Sequence, residues 1–72
     1  MKGGVILFYT TSSAMRAEKT IGEQGYRTRL VPTPRQFSSD CGIALEFDWC
    51  YNEQVKSILD KAGVELEAIH QL

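Results

Sequence analysis

Apolar residues fall along this chain in two rhythms. Val5-Ile6-Leu7-Phe8-Tyr9 is an unbroken apolar and aromatic run, the pattern of a central buried strand. Thr10, Thr11, Ser12 and Ser13 then supply hydroxyl caps, so a helix starts among them. Ala14, Ala17 and Ile21 recur at helical spacing through Gln24, and Gly25 is a good stop. Tyr26 to Val31 alternates, with Tyr26, Thr28 and Leu30 on one face and Arg27 and Arg29 on the other. Pro32 and Pro34 end that strand because neither can donate a ladder hydrogen bond.

Arg35 to Gly42 reads as a polar loop. Ile43 to Phe47 alternates again, with Ile43, Leu45 and Phe47 inward and Ala44, Glu46 and Asp48 outward. Asn52 can cap a second helix, in which Val55, Ile58, Leu59 and Ala62 form one apolar stripe before Gly63. Val64, Leu66 and Ala68 alternate with Glu65 and Glu67 in a last strand. The order β-α-β-β-α-β, with one apolar face per helix, predicts an α+β fold. It is the ferredoxin-like arrangement of two helices on one face of a four-stranded antiparallel sheet. Right-handed crossovers leave room for the third strand between the first two, antiparallel to both.

Composition narrows the function classes. Seventy-two residues make one small domain, 1–72, with 43% hydrophobic and 24% charged residues. Eight basic residues against nine acidic ones give a net charge of −1, which encodes no general attraction to nucleic acid or an anionic membrane. The outward Glu46 and Asp48 also repel phosphate, against an RNA-binding sheet face. The apolar run at Val5–Tyr9 is far short of a membrane span or a signal-peptide core, so a cytoplasmic protein is expected. So small a core makes a homodimer an expected source of added stability.

Chemistry concentrates on one thiol. Because the third strand runs antiparallel to the first, its beginning lies beside the start of the first helix. Cys41-Gly42 is therefore expected near Ser12, Ser13 and the helix-terminal amides, where partial positive charge favours a thiolate. Arg35 or Arg16 could add to that effect, Ser38 and Ser39 bring hydroxyl donors, and Gly42 lets the backbone approach closely. The competing reading makes Cys41 a small buried hydrophobe. Cys50 is assigned to packing at the other end of the same strand. Nine residues of extended chain span roughly 30 Å, too far for a Cys41–Cys50 disulfide. One thiol acting alone suggests a group carrier rather than a dithiol redox enzyme. His70 has no partner at metal-ligand spacing and is read as solvated, so neither a metal nor a cofactor is expected.

The segment from Val31 to Leu45 carries a resemblance. Pro32, Pro34 and Arg35, then Ser38, Ser39, Cys41 and Gly42, with Ser12, Ala14 and Arg16 at the helix start, resemble the pattern of a small bacterial family. That family is the selenium/sulfur carrier protein-like group, domain of unknown function 3343, and the likeness spans about residues 5–70. It implies a persulfide or perselenide held on Cys41, loaded by a cysteine desulfurase-type donor and passed to a selenium or sulfur acceptor protein. Ser12, Ser13, Arg35, Ser38, Ser39 and Gly42 would then surround the terminal atom. The alternative is a non-catalytic interaction module, whose Arg27/Arg29 and Glu46/Asp48 faces meet a partner while Cys41 is structural. A third reading is a small-anion or metabolite sensor using the same helix terminus without covalent chemistry.

Overall fold

The computed structural model describes residues 2–37 and 42–72. The elements are β1 (Gly3–Leu7), α1 (Thr11–Glu23), β2 (Thr28–Pro32), β3 (Ile43–Asp48), a short 3-10 turn (Trp49–Tyr51), α2 (Asn52–Ala62) and β4 (Ala68–Gln71). The strands form a four-stranded sheet in the order β2-β3-β1-β4, with every neighbouring pair antiparallel. This is the expected ferredoxin-like architecture, with β3 between β1 and β2.

Each element follows from its residues. Thr10 caps α1: its backbone is extended and its Oγ1 accepts from the Ser13 amide at 3.1 Å. Ala14, Ala17 and Ile21 are buried, as the stripe requires. Both helices stop at a glycine with positive φ, Gly25 at 89° and Gly63 at 70°. The same pair of bonds closes each end. Gly63 N–H donates to Asp60 and Val64 N–H to Leu59, while Gly25 donates to Gly22 and Tyr26 to Ile21.

The helices pack on one face of the sheet. Ile6, Phe8, Leu45 and Phe47 from that face meet Ala14, Ala17 and Ile21 of α1 and Val55 and Leu59 of α2. A second apolar cluster lies on the opposite face, where Val5, Leu7 and Ala44 are buried under Val31, Phe37 and Ala68. β1 is therefore buried on both faces, which is why its sequence does not alternate. Gly4 makes that packing possible: a Cβ there would lie 2.6 Å from Trp49 Cε3 and 2.8 Å from Phe47 Cζ.

Three expectations are corrected. β2 begins at Thr28 rather than Tyr26, because Tyr26 completes the stop of α1 and packs its ring 4.9 Å from that of Tyr51. β4 begins at Ala68 rather than Val64, whose amide belongs to the stop of α2. Asn52 is the first residue of α2 and does not cap it; its Nδ2 donates instead to the Trp49 carbonyl at 2.9 Å. Asp48 caps the preceding 3-10 turn, accepting from the Cys50 amide at 3.2 Å.

Candidate functional site

Pairing between β1 and β3 defines one end of the sheet. Leu7 stands opposite Ala44, Ile6 opposite Leu45 and Val5 opposite Glu46. The last residue of β1 is thus three positions before Thr10, and its partner is two positions after Gly42. The start of α1 and the start of β3 consequently share the end of the sheet where the sequence puts its candidate thiol. Cys41, Ser38 and Ser39 lie outside the described residues.

The remaining candidates can be placed. Ser12 is exposed in the first turn of α1, and Ser13 is half-buried beside it. The Thr10 hydroxyl donates to Ser13 Oγ at 3.1 Å, so Ser13 is part of the cap. Gly42 is exposed, and its carbonyl accepts from the Thr33 amide at 3.1 Å, joining the two ends of the β2–β3 loop. Arg35 is exposed within a tight turn in which the Phe37 amide donates to the Pro34 carbonyl at 3.0 Å. Arg16 has a partner on α2 among the described residues. Its Nη2 donates to the Ala62 carbonyl at 3.0 Å, supplying a cation to the last turn of α2.

Phe37 and His70 were not singled out by sequence reasoning as a pair. The Phe37 ring lies on the His70 ring with centroids 4.2 Å apart and planes within 8°. Stacked aromatic pairs contribute about 0.5–1.5 kcal/mol beyond the area they bury. His70 is therefore half-buried rather than simply solvated. It sits opposite Val5 on the sheet face away from the helices, so the stack closes the second apolar cluster. No periodicity links residues 37 and 70, which meet only because β4 pairs with β1 and the β2–β3 loop folds back over the sheet.

Electrostatics separates the other end of the sheet from this one. Arg29 Nη2 reaches Glu46 Oε1 at 3.0 Å across the β2–β3 pair, so these two charges first satisfy each other. A groove of about 400 Å³ runs beside them, lined by Lys2, Arg27, Arg29, Glu46 and Asp48 among others. Its mixed charges favour no single ligand sign. Cys50 lies near that end, exposed rather than packed. Its thiol is pushed above the ordinary cysteine value by local desolvation and then by the neighbouring Asp48 carboxylate. A thiol shifted in that direction is less ionised near neutral pH than an ordinary cysteine.

Among the described residues no group of three His, Cys, Asp or Glu side chains could hold a metal ion. Among the same residues no helix is long and apolar enough to cross a membrane. A family described as "Putative Se/S carrier protein-like" matches residues 3–71. No curated protein and no solved structure matches the chain.

Proposed function

The chain belongs to the Se/S carrier protein-like family, and from that premise we propose that it carries a sulfur or selenium atom on Cys41 between two partner proteins. The observation that carries the reading is the β1–β3 register. With Leu7 opposite Ala44, the chain enters β3 at the same end of the sheet at which it enters α1. A helix N-terminus presents N–H donors and partial positive charge, which favour an anion. Ser12, Ser13, Arg35 and Gly42 among the described residues, with Ser38 and Ser39 in the loop sequence, form the proposed surroundings of the carried atom.

Loading is a displacement at sulfur. The Cys41 thiolate attacks the terminal sulfur of a donor persulfide, of the kind a cysteine desulfurase holds. A new S–S bond forms to Cys41, the donor's S–S bond breaks, and the donor cysteine leaves as thiolate. No external oxidant or reductant enters, because one S–S bond replaces another. Delivery repeats the step: an acceptor nucleophile takes the terminal atom and returns the Cys41 thiolate. Selenium would follow the same course with a terminal Se. A thiol kept ready for this exchange suits the reducing cytoplasm.

Incubation with a cysteine desulfurase and cysteine, followed by intact-mass analysis, tests this directly. The expected product is one added sulfur on Cys41 that dithiothreitol removes, and a Cys41→Ser variant that stays unmodified. Equal labile sulfur on that variant would overturn the proposal.

A further inference from the structure

The strand registers lay out the sheet face away from the helices as a grid. Arg29, Glu46, Val5 and His70 stand in one row across β2, β3, β1 and β4. Two positions along the strands, Val31, Ala44, Leu7 and Ala68 make the next row. That second row is apolar and carries Phe37 packed against it. In the other direction, from Arg29 and Glu46 toward Gly3 and Asp48, the face is the groove of about 400 Å³.

Charge in this groove is sorted by strand. Arg27 and Arg29 line it from the β2 side, Glu46 and Asp48 from β3. Contacts within the chain use only part of that charge. Arg29 Nη2 meets Glu46 Oε1 at 3.0 Å, yet the two side chains remain 74% and 37% exposed. Arg27 and Asp48 line the same groove, and neither has an ion-pair partner among the described residues.

A partner of one sign would be repelled by one of the two columns. The complementary surface carries both signs in the reverse order. A second copy of this chain presents that surface. A half-turn about an axis parallel to the strands, placed between β2 and β3, lays β2 of each copy over β3 of the other at the same level. Arg29 then faces Glu46 of the second copy, and Arg27 faces Asp48 of the second copy. The internal Arg29–Glu46 pair becomes half of a set of four alternating charges, and a network holds better than an isolated exposed pair.

We propose that the groove bearing Arg27, Arg29, Glu46 and Asp48 is a two-fold interface with a second copy of this chain. Contact through so few exposed charges is weak and salt-sensitive. It lies at the Gly3–Asp48 end of the β1–β3 ladder, whereas α1 starts beyond the Leu7–Ala44 end. Its formation does not depend on the carrier reading.

Sedimentation equilibrium of the full chain, from micromolar to millimolar concentration at low and high salt, tests this interface. The proteins are wild type, Arg29→Glu, Glu46→Arg, and an equimolar mixture of the two variants, with circular dichroism to establish that each is folded. Wild type should form a dimer that weakens as salt rises. Each variant alone sets like charges against each other across the interface and should associate about tenfold less tightly or worse. The mixture should regain association at low salt, because Glu at position 29 of one chain then faces Arg at position 46 of the other. Neither chain in that mixture keeps the internal pair, so the recovery reports the contact between copies. A wild-type chain that stays monomeric throughout overturns the proposal. So does a dimer that both variants form as tightly as wild type, or a mixture no tighter than its components. Amide shifts of the wild-type chain on dilution should centre on Arg27, Arg29, Glu46 and Asp48. Shifts centred elsewhere overturn the proposal even if a variant fails to fold.

Discussion

Leu7 and Ala44 face each other in the β1–β3 ladder, and this pair brings the entry to α1 and the entry to β3 to one end of the sheet. Both residues lie on the face away from the helices, buried beneath Phe37. The Phe37–His70 stack is therefore built on this foundation. Changes to that foundation have distinct, measurable consequences.

The close approach at Gly4 predicts a stability loss. An alanine Cβ would meet Trp49 Cε3 at 2.6 Å and Phe47 ring carbons at 2.8 and 2.9 Å, and Phe47 is itself buried in the core. Gly4→Ala should destabilise the fold by about 1–3 kcal/mol, the usual range for overpacking. Urea unfolding measures this, and an unchanged midpoint would show that both rings can move aside freely.

The start of α1 depends on one hydroxyl. Thr10→Ala removes the acceptor for the Ser13 amide and should cost about 1 kcal/mol, whereas Thr10→Ser should cost much less. Ser13→Ala should also be mild, because its backbone amide keeps its partner. Urea midpoints of the three variants should show that ranking.

Among the described residues, Arg16 acts on α2. Arg16→Ala removes its bond to the Ala62 carbonyl and should cost about 0.3–1 kcal/mol, the scale of a cation at a helix C-terminus. The alkylation rate of Cys41 should stay at the wild-type value. A large fall in that rate would return Arg16 to the thiol's surroundings.

Cys50 supplies a charge-sensitive reference. Its pKa is raised first by desolvation and then by Asp48. Asp48→Asn keeps an oxygen for the Cys50 amide but removes the negative charge, so the thiol pKa should fall while desolvation still holds it up. A lower pKa means more thiolate at a fixed pH, so Cys50 should alkylate faster at pH 8 in the variant. A slower reaction would reverse the assigned sign.

Much of this architecture is visible in the residues themselves. The stripes Ala14/Ala17/Ile21 and Val55/Leu59 locate the helices, Gly25 and Gly63 locate their ends, and Ile43/Leu45/Phe47 set the inward face of β3. The misplaced boundaries share one cause. Tyr26 and Val64 continue a period-two pattern, but their amides complete helix stops, so the ladders begin later. Contacts between distant residues leave less trace. Nothing local to Phe37 or His70 announces their stack, and nothing in Arg16 announces Ala62. The meeting of the start of β3 with the start of α1 was legible because topology alone brings them to one end of the sheet. The side chains supporting the loop were not, since their positions depend on how the loop folds back.

The central claim is that Cys41 is an activated thiol, and its pH-rate profile with iodoacetamide in the wild-type protein tests it most directly, with Cys50 in the same chain as reference. The account predicts a Cys41 midpoint more than about one unit below the ordinary value of about 8.5, with Cys50 slower throughout the neutral range. A Cys41 midpoint at or above that value, or a rate no faster than that of Cys50, would contradict it.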